Sequence, residues 1–207
     1  MKSRFTLFLA MAALSVSGQT AREHLDNGIA KHKEHDFKGA IADYDKAIKE
    51  DKKFAEAYYD RAACELALKD FKAARKDYSK TIELDPKFVK AYYGRASVFV
   101  SEGKNADALP DLNKTIELDP AVPNALTLRG QIRAQGGDLK GACEDFNKAK
   151  ELGDPQGDKY IRQFCLWCIQ FCLIKHQIHC FVHRNISGTL YGSHGTYFSP
   201  VLKRSLS

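Results

Sequence analysis

Two stretches of this chain return almost unchanged at a fixed distance. Ala57-Tyr-Tyr-Asp-Arg-Ala62 recurs as Ala91-Tyr-Tyr-Gly-Arg-Ala96, and Thr81-Ile-Glu-Leu-Asp-Pro86 recurs as Thr115-Ile-Glu-Leu-Asp-Pro120, each shifted by 34 residues. A third, looser stretch, Leu126-Thr-Leu-Arg-Gly130, keeps Arg129 the same distance beyond Arg61 and Arg95. Such a period marks a repeat architecture, in which one unit is too small to bury its apolar side and must stack on its like. That constraint rules out an ordinary single-core fold for the middle of the chain.

Four copies align over residues 21–54, 55–88, 89–122 and 123–154. One column holds Ala40, Ala74, Ala108 and Ala142, and a large one holds Tyr44, Tyr78, Leu112 and Phe146. Two more small columns are Ala47, Thr81, Thr115, Ala149 and Gly28, Ala62, Ala96, Gly130. Small residues let helix backbones approach, and large ones fill the space between layers. Within a copy, Ala40, Tyr44 and Ala47 fall at i, i+4 and i+7, the stripe of a helix, and Tyr58, Ala62 and Leu66 recur at i, i+4 and i+8 in the first half of a copy. Each copy therefore reads as two antiparallel helices. The turns within copies carry Glu34-His-Asp36, Lys69-Asp70, Glu102-Gly-Lys104 and Gln135-Gly-Gly-Asp138, and Asp85-Pro86 and Asp119-Pro120 stop the second helix. Pro110 falls inside the expected second helix of the third copy, where it costs up to about 3 kcal/mol unless that helix starts late.

These columns resemble the tetratricopeptide repeat over Ala21 to about Asp154. The first copy departs from the pattern, with Lys52 in place of the closing Pro and His24 and Lys31 where the family prefers large aromatics. The resemblance implies an all-α, right-handed superhelical α-solenoid of antiparallel helix pairs. It also implies a solvating helix after the last copy, which residues 155–163 supply with Tyr160 and Ile161 on the core. By the same resemblance, the first helix of each copy lines a concave groove that takes a peptide. The lining columns are Glu56, Lys90 and Asn124; then Tyr59, Tyr93 and Thr127; then Ala63, Ser97 and Gln131. Tyr59 and Tyr93 either stand in the groove as anchors or pack within the stack. The Lys and Asn set with which some family members grip a C-terminal carboxylate is missing, so binding of chaperone tails is not implied.

Asp43, Asp77, Asp111 and Asp145 form one charged column, and Arg61, Arg95 and Arg129 another. A functional site is rarely copied into every layer, whereas a packing device must be. The expectation is a ladder of planar, bidentate ion pairs between stacked helices. Lys46, Lys80, Lys114 and Lys148 then belong to a solvated outer face.

The two ends are of another kind. Lys2 and Arg4 precede the apolar run Phe5–Leu14, followed by small Ser15–Gly18 and polar Gln19, the layout of a cleaved secretory signal over residues 1–18. The run is too short to span a bilayer, which takes about 20 residues. From Phe164 onward Asp and Glu vanish, and four of the six cysteines and four of the seven histidines gather. Composition reads residues 164–207 as a poorly ordered extension. The alternatives are an extra helix packed on the last copy or on a membrane surface, and a metal or redox module built on Cys165-Leu-Trp-Cys168 with Cys172, His176, His179, Cys180 and His183. Zinc knuckles need set spacing across a loop, and redox dithiols need a strand–helix unit. Neither is evident in the sequence. Asn185-Ile-Ser187 is a glycosylation sequon in a eukaryotic secretory setting.

The net charge of +6 comes wholly from these ends: Lys2, Arg4, Lys175, Arg184, Lys203 and Arg204 are six basic residues with no acid beside them, so the repeats are neutral. A neutral middle gives no electrostatic reason for nucleic acid as a partner. The repeats hold no nucleophile elbow, phosphate loop, dinucleotide fingerprint or zinc helix. The sequence thus predicts a periplasmic or secreted scaffold of the cell envelope. Its partner is another protein or peptide. It has no catalytic residue, cofactor, metal or small-molecule substrate, and the mature chain has no transmembrane span.

Overall fold

The computed structural model describes residues 20–165. The signal-like start lies outside these residues, and so do the sequon, the tail histidines and the tail cysteines beyond Cys165. Within them the chain is helix and turn, with no strand. Helix α1 covers 20–33. It is followed by α2 Phe37–Glu50, α3 Ala55–Ala67, α4 Phe71–Leu84, α5 Val89–Ser101, α6 Asn105–Leu118, α7 Pro123–Gln135 and α8 Leu139–Glu151. A short α9, Gly157–Tyr160, runs into a π-helical turn, Ile161–Cys165.

Two kinds of turn set the period. Between the helices of a pair, the chain closes with a residue in left-handed backbone: His35 (φ 62°), Lys69 (64°), Gly103 (75°) and Gly137 (87°). Two hydrogen bonds bracket each, as in Asp70 N–H to Glu65 C=O and Lys69 N–H to Leu66 C=O, at 2.9 Å each. This is the Schellman closure. Glycine adopts it freely, while His35 and Lys69 give up about 1 kcal/mol each. Between pairs, Asp51, Asp85 and Asp119 each accept from the backbone N–H two residues on, at 2.8–2.9 Å. The first pair stops at Asp51 without a proline, so this aspartate turn is enough to end the helix. Asp36, Asp70 and Asp138 cap the second helices by accepting from the third backbone N–H beyond them. The equivalent residue before α6 is Lys104, which gives no side-chain cap. Pro110 lies inside α6, which starts at Asn105, so no late start relieves it.

The four columns of the sequence form the core. Tyr44, Phe146, Leu112 and the alanines beside them are fully buried. Glycine matters where a ring meets backbone. A Cβ on Gly28 would sit 2.4 Å from the Tyr44 ring, and one on Gly130 would sit 2.6 Å from Phe146. The last pair is closed by Tyr160 and Phe164, stacked on Phe146 with ring centroids 5.2 and 5.9 Å away. A disulfide between Cys143 on α8 and Cys165 fixes this cover. Phe164 and Cys165, which composition puts with the tail, are therefore parts of the cap.

The expected ladder is present, and it does more than pair. Arg61 grips Asp77 through Nε (2.6 Å) and Nη2 (3.0 Å). Arg95 grips Asp111 at 2.8 and 2.7 Å, and Arg129 grips Asp145 at 3.0 and 2.6 Å. Each Nη1 donates backward to the second helix of the preceding pair, to Asp45, Ser79 and Asn113 respectively. One guanidinium thus ties three helices. In the first pair Asn27 stands in the arginine's place, and Asp43 instead takes Lys31 (2.6 Å) and Lys46 (2.7 Å). Glu65 occupies the position of Lys31 and puts an acid beside Asp77. Its Oε2 is buried with no hydrogen-bond partner. Burial, with Asp77 next, pushes this carboxyl up to about 7.

Removing an arginine should strand a buried carboxylate. Asp111 is 7% exposed and Arg95 24%, so Arg95→Ala is expected to cost about 3 kcal/mol, the low end for a broken buried pair. Arg95→Lys should recover less than half of it, because an ammonium cannot make the fork. Urea denaturation of the three proteins measures both, and an unchanged midpoint for Arg95→Ala would refute the tie.

Candidate functional site

At 3.6 residues per turn, Glu56, Tyr59 and Ala63 fall on one side of α3, as do Lys90, Tyr93 and Ser97 on α5 and Asn124, Thr127 and Gln131 on α7. The structure links the sides of α1, α3 and α5. Arg22 of α1 bonds Glu56 of α3 at 2.8 Å, across 34 residues of sequence, and also pairs with Asp26. Lys90 and Asn124 are exposed, whereas Ala63, Ser97 and Gln131 are half-buried.

The middle column is less open than the sequence allows for an anchor pair. Tyr59 is half-buried, with its ring 5.0 Å from Phe88 and 5.8 Å from Tyr78. Phe88 stands at the entry to α5, so Tyr59 fills the joint between two pairs. Tyr93 and Val122 both pack against the next core cluster, around Leu112. Burial raises both phenols above their usual range. Thr127 is buried, and its hydroxyl donates to Asp154. The Ser97 hydroxyl donates to the Tyr93 carbonyl at 2.9 Å. These side chains support the wall and show only part of themselves to a ligand.

Sequence reasoning passed over Asp60, one turn beyond Glu56. Its carboxylate feels Arg22, Glu56 and Lys90, from three successive first helices, and burial followed by Glu56 pushes it up to about 6. The helical spacing from Glu56 could have placed it on this face. Its desolvation could not be read, because burial arises only in the folded stack. At neutral pH the surface carries Arg22 and Lys90 against Asp26, Glu56 and Asp60, a mixed polar field over half-buried aromatic rings.

Among the described residues no three His, Cys, Asp or Glu side chains are disposed to hold a metal ion. Cys64 is buried, and burial pushes its thiol up to about 12. Cys165, read with Cys168 as part of a metal or redox motif, is bonded to Cys143. The other residues of that motif lie outside the described ones.

Comparison with known proteins supplies the family. Models of the tetratricopeptide repeat match residues 55–88 and 93–156. The chain is a tetratricopeptide-repeat protein. A crystal structure of MamA is 25% identical, with a TM-score of 0.62 over 69% of this chain and 83% of that one. The tetratricopeptide domain of Arabidopsis OM64 is 28% identical, with a TM-score of 0.57 over 57% of this chain and 98% of that domain. MamA from Desulfovibrio magneticus, at 21% identity, shares the fold with a TM-score of 0.66 over 80% of this chain and 93% of that one. No curated protein matches. The all-α solenoid is thereby established, and with it the general character of a protein-interaction scaffold. No helix among the described residues of this tetratricopeptide protein is long and apolar enough to cross a membrane.

If Tyr59 serves the joint, Tyr59→Ala should destabilise the fold by about 2 kcal/mol, below the 3–5 of a fully buried aromatic. Tyr59→Phe, which keeps the ring, should stay within about 0.5 kcal/mol of the parent. Thermal unfolding followed by circular dichroism decides. Equal stability of Tyr59→Ala and the parent would make the ring a free anchor.

Proposed function

We propose that this protein is an exported, non-catalytic scaffold of the cell envelope that holds a peptide or protein segment along the face of its first helices. The observation that carries the reading is the continuity of that face. Arg22, Glu56, Asp60 and Lys90 come from three separate helices and act on one another, so a ligand lying across the stack meets α1, α3 and α5 together. Such a surface suits an extended segment better than a small molecule. Tyr59, Tyr93 and Thr127 hold its floor. Glu56, Lys90, Asn124, Ala63, Ser97 and Gln131 meet the ligand, with Asp26 and Asp60 added to the set. The half-exposed rings give apolar area that needs little ordering on binding.

Export is supported by the basic-then-apolar layout of residues 1–18 and by the Cys143–Cys165 bond, since disulfides persist in oxidising compartments. No partner other than a protein or peptide is part of the proposal.

Peptides selected from a random display library on the purified full chain test the binding face. The charge changes Lys90→Glu and Gln131→Glu should each weaken the selected peptides at least tenfold while leaving the circular dichroism spectrum intact. Undiminished binding by both variants would move the site elsewhere. Intact mass of the protein recovered from the producing cell tests export separately. A mature chain starting at about Gln19 is expected, and a chain retaining residues 1–18 would refute it.

A further inference from the structure

Pro110 and Lys104 break the repeat pattern without serving the first-helix face. Lys104 precedes α6, and Pro110 lies in its second turn on the rim of a cleft of about 680 Å³. The cleft runs between α4 and α6 over α5. Arg95 and Phe99, which face it, lie half a helical turn away from Lys90, Tyr93 and Ser97, so the cleft opens on the opposite side of α5 from the face described above. Its volume falls in the range of sites that hold a ligand, roughly 300–1,000 Å³.

The cleft's charges divide into spent and free. Arg95 is consumed by Asp111 and Ser79. Arg75 is held by Glu102 and lies over the Phe99 ring at 5.7 Å. Lys72 and Lys76, on the α4 rim, are exposed and make no ion pair or hydrogen bond among the described residues. They stand one helical turn apart, about 6 Å along the axis. On the α6 rim, Pro110 brings no N–H, so the carbonyl of Ala106 lacks its helical donor. Ala106 and Pro110 are exposed and line the cleft, and Asp107 beside them is exposed and free of ion pairs among the described residues. One rim therefore offers two cations, and the other offers the Ala106 carbonyl, which has lost its i+4 donor at Pro110, beside the single negative charge of Asp107.

An extended chain matches both rims. Its alternate side chains lie about 6.7 Å apart on one face, close to the Lys72–Lys76 spacing, and its backbone N–H groups point sideways. We propose that this cleft is a second docking surface, taking an extended protein segment with two acidic side chains in alternate positions and an apolar one between. The acids meet Lys72 and Lys76, the apolar side chain rests on Pro110 and the edge of Phe99, and a backbone N–H donates to the Ala106 carbonyl. This assignment stands apart from the first-helix reading and does not need it.

Fluorescence anisotropy of the full chain with a labelled, acetylated Ala-Glu-Val-Glu-Ala peptide tests the proposal. Saturable binding is expected below millimolar concentration, weakening at least tenfold between 50 and 300 mM salt by screening, roughly as the Debye length shortens from about 14 to 6 Å. The matched peptide with Gln for Glu should bind at least tenfold more weakly. K72E with K76E should abolish binding while the circular dichroism spectrum is kept. Pro110→Ala, which restores the missing donor within α6, should weaken it about threefold and raise the melting temperature. Lys90→Glu should leave it unchanged. Any of four results would overturn the assignment: no saturation at 1 mM, equal affinity for the Gln peptide, binding that survives the double charge reversal, or competition by an anionic oligonucleotide as effective as the unlabelled peptide.

Discussion

The guanidinium that reaches three helices at once is the contact on which this stack depends. Hydrophobic columns bring the helices together, but apolar burial is non-directional and tolerates sliding. Arg61, Arg95 and Arg129 remove that freedom, because a planar fork accepts its carboxylate in one geometry. The third donor, aimed at Asp45, Ser79 or Asn113, carries the alignment across the boundary between pairs. A pair is thus indexed to its predecessor as well as folded within itself. The receiving aspartates are nearly sealed from water, which makes each tie costly to leave half made.

Much of this was legible in the sequence because the period is a physical necessity. Residues that pack between layers have to recur, so Ala40, Tyr44, Ala47 and Gly28 announced both the helices and the faces they bury. The charged columns could be assigned to packing by the same logic. Features that occur once were harder. The disulfide partner of Cys165 is Cys143, on a helix whose columns gave no hint of pairing, and only folding brings them together. Tyr59 and Tyr93 satisfied the spacing of groove residues, yet the joint beneath them decides how far they emerge. That depends on Phe88 and Val122, which arrive from the next pair. Asp60 could be placed by spacing, but its shift depends on its own burial in the folded stack, with Glu56 next.

The departures from the repeat are also unevenly distributed. In the first pair Asn27 and Lys31 replace the arginine tie with two lysines, each a single point of contact. In the second, Glu65 sets an acid against Asp77. In the third, Lys104 and Pro110 give up a cap and a backbone bond, and Pro110 lines the cleft on the α4–α6 side. The first-helix face and that cleft are therefore made by different residues of the same α5, and a change to one side need not disturb the other.

The aromatic cover and its sulfur bridge give the stack a direction. At the carboxyl end of the described residues, Asp145 takes both Arg129 and Arg133, Phe146 lies under two rings, and a covalent link closes over them. At the amino end Asp43 is held by two lysines, 41% and 56% exposed. In a one-dimensional array, cooperative order is lost first where the terminal coupling is weakest. Within residues 20–165 the molecule should unzip from α1 toward α8, so a partner spanning α1 and α3 would lean on the portion most apt to peel away and would gain most by pinning it.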